Sequence, residues 1–161
     1  MDCPLAIETS GHAAMRDNYF LDDGAYLVTQ IIIKLARLRQ EGKDLEDLLA
    51  PLKEPMEAAE VRLPILDKDF REAGQSLIDE LEIYARAQGW AIAPDNREGL
   101  AVSLPGGGDG WFLLRLSVHD PILPLNLESN SHGGVAQIAE KLKTFFQAHH
   151  EGVDVSPVEK L

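Results

Sequence analysis

Leu100-Ala-Val-Ser-Leu104, Pro105-Gly-Gly-Gly-Asp-Gly110 and Trp111-Phe-Leu-Leu-Arg-Leu-Ser-Val118 follow one another without a break. Two apolar runs of strand length around a glycine-rich turn predict a β-hairpin. Downstream, Leu123–Glu128 reads as a third strand. After it, Val135, Ile138, Leu142, Phe145 and Phe146 recur at helical spacing between about Gly134 and Ala148. Upstream, Phe70, Ala73, Leu77, Leu81 and Tyr84 mark a helix capped by Asp67 or Asp69 and ended by Gly89. Before that helix, Ala59, Val61, Leu63 and Ile65 alternate with Ala58, Glu60 and Arg62, as in a strand. The order strand, helix, three strands, helix predicts an α+β domain of about 95 residues. Its antiparallel sheet should carry helices on one face and leave the other free. The tail after Gly152 is expected to fray.

The residues ahead of this domain follow a different pattern. Pro4–Ile7 is a short apolar run that turns at Ser10-Gly11-His12. A helix follows over Ala25–Leu38, with Asp22 and Asp23 at its start and Arg37 and Arg39 at its end. Leu27, Ile31 and Leu38 form one apolar stripe, and Val28, Ile32 and Leu35 form a second. A helix apolar on so many sides is expected to be buried in a larger body. Leu45–Leu49 is a second short helix, and Pro51 and Pro55 mark a linker.

The chain has 161 residues, 45% of them hydrophobic, and 27 acidic residues stand against 15 basic ones. At roughly 150 residues per domain, that length holds one domain and a fraction of another. A net charge of -12, spread along the whole chain, argues against nucleic-acid or acidic-membrane partners recruited by bulk charge. The single Cys3 excludes an internal disulfide and a multi-cysteine zinc site. No signal peptide or membrane span is visible, so a soluble cytoplasmic protein is expected.

Arg115 is the only lysine or arginine between Arg97 and Lys141. In a strand, Leu114, Leu116 and Val118 would face one way, while Arg115, Ser117 and His119 face the other. A guanidinium, a hydroxyl and an imidazole on one face suit an anion, because the arginine fork donates two hydrogen bonds at once. The plain alternative is an exposed strand arginine paired with Asp120 or Glu128. Glu8-Thr-Ser-Gly-His12 places a carboxylate and a hydroxyl at a turn, where they can bind sugar hydroxyls or act as ordinary turn residues. His149-His150 lacks a carboxylate partner and is a poor metal ligand pair. Pro105–Gly110 has neither the lysine nor the spacing of a phosphate loop.

Taken together, Glu8-Thr9-Ser10-Gly11-His12, the following Asn18–Tyr26, and Arg115-Leu-Ser-Val-His-Asp-Pro121 resemble the α-D-phosphohexomutases. The first segment resembles the sugar-recognition loop that ends their third domain, Gly-Glu-x-Ser-Gly-His. The last resembles the phosphate loop of their fourth domain, Arg-x-Ser-x-Thr-x-Pro. The resemblance implies sugar contacts from Glu8, Ser10, Gly11 and His12. It implies phosphate contacts from Arg115, Ser117, the Val118 backbone and His119. Ile7, His119 and Asp120 stand where the family usually has glycine, threonine and glutamate. A protonated His119 is the better donor, so phosphate recognition is expected to be weaker or more pH-dependent than in the family.

The resemblance implies that residues 1–55 are the helical end of an α/β third domain. Residues 56–161 would be a fourth domain with a TATA-binding-protein-like fold, a four-stranded antiparallel sheet with two helices. Family members interconvert hexose 1- and 6-phosphates through a phosphoserine, a hexose bisphosphate and Mg²⁺. This chain contains neither the phosphoserine loop nor the metal loop. It is therefore expected to recognise hexose phosphate, to hold no catalytic or metal-binding residue, and to depend on missing N-terminal domains of the same polypeptide. Its over-apolar helix could instead drive self-association. The competing expectation is a free-standing, non-catalytic anion-binding or interaction module derived from that domain.

Overall fold

The structure is a computed structural model that describes residues 3–8, 11–94, 96, 98–104, 109–149 and 151–161. The chain divides into two compact units, Met1–Lys53 and Glu54–Leu161.

In the first unit, β1 (Leu5–Ile7) pairs antiparallel with β2 (Ala13–Met15), Leu5 opposite Met15 and Ile7 opposite Ala13. A single 3₁₀ turn over Arg16–Asn18 leads to α1 (Gly24–Gln40), and α2 (Glu46–Leu49) follows. Asp23 alone caps α1, accepting from the Tyr26 amide at 3.0 Å, and this bond holds its carboxyl below the usual range. Arg37 and Arg39 occupy the last turn. The expected burial of α1 is not found. Leu38 is buried, whereas Val28, Ile31, Ile32 and Ile33 are exposed, because nothing in this small unit covers them.

The second unit is α+β. Its sheet has five antiparallel strands in the order β3-β7-β6-β5-β4. These are β3 (Glu57–Pro64), β4 (Ala91–Ile92), β5 (Leu100–Leu104), β6 (Gly110–Leu114) and β7 (Ile122–Ser129). The four expected strands are present, and β4 is added as a two-residue edge, too short to show alternation in sequence. One face carries Leu63, Val102, Phe112, Leu114, Leu123, Leu125 and Leu127, all buried. Against it lie α3 (Phe70–Ala87) and α4 (Gly134–Phe146), which contribute Leu77, Leu81, Ile138, Leu142 and Phe145. Burying each such side chain is worth about 1.5–3 kcal/mol, so this seam holds the unit together. The Trp90 ring stands edge-on to Phe112 and Tyr84, with centroids 6.0 and 5.6 Å apart.

Two further expectations are corrected. The hairpin strand expected to reach Val118 ends as regular strand at Leu114, and hydrogen-bonded pairing with β7 continues only as far as Ser117, because the chain turns from Val118 onward. The tail after Gly152 is ordered instead of frayed. Val153 bridges to Ile65, and α5 (Ser156–Glu159) buries Val158 against the core, because apolar residues recur in an otherwise polar tail. Among the described residues, no helix is long and apolar enough to cross a membrane.

Candidate functional site

The β6–β7 hairpin carries the residues that the resemblance assigns to phosphate, Arg115 to His119. Antiparallel pairing continues past β6. The Arg115 amide donates to the Pro124 carbonyl at 3.1 Å, and the Ser117 amide donates to the Ile122 carbonyl at 3.1 Å. Arg115 and Ser117 therefore keep strand alternation. Leu114 and Leu116 turn to the helix side, Leu114 fully buried and Leu116 packed on the core. Alternation stops there. The Asp120 amide donates to Ser117 Oγ at 3.2 Å and closes the turn. Val118, expected on the same face as Leu114 and Leu116, is instead 64% exposed, and His119 is exposed beside it.

Arg115 lies half-buried on the helix-free face. Pro124 separates it from Arg62, which pairs with Pro124 across β3 and β7. Glu60 on the same face accepts from Arg62 at 3.1 Å and from Asn126 at 3.1 Å. The Arg62 bond, then the Asn126 bond, hold the Glu60 carboxyl below its usual value, with a smaller pull from the Arg115 charge. Among the described residues, no carboxylate lies within ion-pair distance of the Arg115 guanidinium, so pairing with Asp120 or Glu128 is not found. Some other cations are ion-paired, among them Arg39 with Asp44, Lys43 with Glu41, Arg62 with Glu60, Arg86 with Glu82 and Lys143 with Glu140. Arg115 thus has donors to spare, and Ser117 Oγ, already accepting from Asp120, retains its O–H.

The backbone under Arg115 is tightly fitted. A Cβ on Gly99, whose φ is +152°, would strike the Leu114 carbonyl and lie 2.8 Å from Arg115 Cα. From the helix side, Arg71 in the first turn of α3 donates from Nη2 to the Val118 carbonyl at 2.9 Å. Sequence reading missed Arg71, because 47 residues separate it from Val118 and no local pattern joins them. Beside the loop, a cavity of about 220 Å³ is lined by Asp79, Glu82, Glu98 and Leu116 among others. Its carboxylates make it unsuited to an anion, which leaves the loop's outer surface as the place for one.

The first unit presents the other set. The Glu8 amide donates to the His12 carbonyl at 2.9 Å, and the Gly11 amide donates to the Glu8 carbonyl at 3.0 Å. Gly11 has φ +89°, a conformation glycine adopts without strain. His12 Nδ1 lies 2.8 Å from Asp22 Oδ2, so Asp22 orients the imidazole and leaves helix capping to Asp23. Glu8, Gly11 and His12 are exposed on one short hairpin loop. Ser10 lies outside the described residues, as do Pro105 to Gly108 of the glycine-rich turn. Contrary to the sequence expectation, His149 has a carboxylate partner, Glu80 at 2.9 Å from the distant α3, and it stacks on Phe145, while His150 is outside the described residues. Among the described residues, no group of three or more His, Cys, Asp or Glu could hold a metal ion.

No protein-family model matches the chain. It is 28% identical over 142 residues, 87% of its length, to the phosphomannomutase/phosphoglucomutase of Pseudomonas putida. It is 27% identical over 146 residues, 90% of its length, to the phosphoglucomutase of Neisseria gonorrhoeae. The chain spans only 28% and 29% of the lengths of these relatives. A crystal structure of a phosphoglucomutase/phosphomannomutase family protein from Burkholderia thailandensis superposes with a TM-score of 0.65 at 29% identity. That match covers 91% of this chain and 28% of the other. Over nine-tenths of its length, the chain is thus similar in sequence and fold to part of the phosphomannomutase/phosphoglucomutase proteins, consistent with their C-terminal portion.

Proposed function

We propose that this chain is the sugar- and phosphate-recognition part of a phosphohexomutase, an enzyme that interconverts hexose 1- and 6-phosphates. Residues 56–161 act as its phosphate-binding domain, and residues 1–55 contribute the sugar loop. In this reading Arg115, Ser117, the Val118 backbone and His119 bind the phosphate. Glu8, Ser10, Gly11 and His12 meet the hexose hydroxyls. The observation that carries the reading is the half-buried Arg115 guanidinium, free of carboxylate partners beside the Ser117 hydroxyl. On the face of a sheet in an acidic chain, such a group suits an incoming anion.

Phosphoryl transfer needs a phosphoacceptor and a positioned cation. The described residues offer no donor set for Mg²⁺, and the reading assigns this chain no step through that ion or through a hexose bisphosphate. Catalysis belongs to N-terminal domains of the same polypeptide, in the cytoplasm and without nucleic-acid or membrane partners. The chain alone should show no mutase turnover even with a bisphosphate activator, and measurable turnover would refute that part.

Titration with glucose 6-phosphate, followed by amide chemical shifts, tests recognition directly. Arg115→Gln should weaken binding about 10- to 100-fold, the range expected for charge-assisted hydrogen bonds. Equal affinity for inorganic phosphate and for the sugar phosphate would favour the free-standing anion-binding module instead.

A further inference from the structure

We propose that Arg71 is a positioning residue of the phosphate loop, holding the Val118–His119 peptide in the orientation that receives an anion. The inference rests on the reading of Arg115–His119 as a phosphate site. Three contacts grip this loop from beneath. Gly99 lies against Arg115, and a Cβ there would meet backbone. Gly74 lies against Leu116, and a Cβ there would be 2.6 Å from Leu116 Cδ1. The turn itself, past the end of strand alternation, receives the third contact, the 2.9 Å bond from Arg71 Nη2 to the Val118 carbonyl.

In a planar trans peptide, the carbonyl and the following N–H point in opposite directions. Drawing the Val118 carbonyl toward α3 therefore turns the His119 N–H away from α3, to the loop's free side. A backbone N–H presented in this way is a donor for an anion. Arg71 is itself steadied, its guanidinium carbon 5.1 Å from the centroid of the Phe70 ring. Its remaining N–H groups keep a positive charge at the loop without any contact to the ligand.

The test compares the full chain with Arg71→Gln and Arg115→Gln, using inorganic phosphate and glucose 6-phosphate as probes. Amide shifts report binding, the NMR order parameter of the His119 amide reports loop order, and urea unfolding reports stability. Arg71→Gln should weaken both probes about three- to tenfold, the worth of one hydrogen bond. It should lower the order parameter of the His119 amide and leave the urea midpoint unchanged, because Arg71 is exposed. Wild-type affinity in Arg71→Gln, alongside loss of binding in Arg115→Gln, would overturn this inference and leave the phosphate site standing. Absence of phosphate binding in the wild type would overturn both.

Discussion

Two glycines near the Arg115–Pro121 loop show how one missing methyl group can matter in different ways. A Cβ on Gly99 would press on the Leu114 carbonyl and the Arg115 backbone, neither of which can move without shifting β6. Gly99→Ala should therefore lower stability by about 1–3 kcal/mol, as overpacking commonly does, and displace Arg115. Urea unfolding and a phosphate titration check the two halves of that expectation. Gly74, inside α3, would instead meet the tips of Leu116 and Ile65, which are flexible side-chain ends. There the loss of a helix-interior glycine, worth about 0.5–1 kcal/mol, offsets much of the crowding. Neither constraint is legible in the sequence, because the atoms that a Cβ would meet belong to other elements.

Elements whose signals are local were legible. The alternation of Leu100–Leu104, the period of α3 and the Asp69 cap all act within a few residues, and the structure shows each. The start of α4 shows the opposite case. Its N-cap residue is Gly133, which offers no side chain, so Glu57 from β3 caps the helix across 76 residues. The Glu57 carboxylate accepts from the Gly133 amide at 2.6 Å and the Val135 amide at 3.1 Å. The Gly133 bond foremost, then the Val135 bond, hold its carboxyl below the ordinary 4.5. A lowered carboxyl adds stability above the unfolded-state value and loses it as pH falls through the folded-state value. Glu57→Gln should therefore lower the urea midpoint at pH 7, with the difference shrinking steadily below about pH 4.5. An equal difference at pH 7 and pH 3 would show that charge plays no part in the cap.

At the scale of the whole chain, burial is unevenly divided. The first unit buries only Ala13 and Leu38 among its described hydrophobic residues, whereas the connected core lies wholly in the second. Residues 54–161 alone should unfold cooperatively, and residues 1–53 alone should lack a cooperative transition, as circular dichroism with urea would show. Composition pointed to one domain and a fraction, but the exposed apolar side of α1 could not be foreseen, since stripe patterns record what a helix can bury and not what is present to cover it. The geometry of the candidate site was legible where motif and strand alternation coincided, at Arg115 and Ser117. It was not legible at Val118, where the Ser117–Asp120 turn breaks the period, or at Arg71, which the fold brings in from a distant helix. The margins of the sheet carry a further consequence. β3 is eight residues long and, among the described residues, β7 is the only strand beside it. Although the Asp154 amide covers its end at the Pro64 carbonyl, an open margin of this kind is a template on which other chains can add strands. Glu60 and Arg62 place charges along it, and Pro64 removes a backbone donor where it ends. The opposite margin, β4, offers only two residues. Both margins thus resist growth into fibrils, so a chain with its apolar helix exposed is still guarded against polymerising through its sheet.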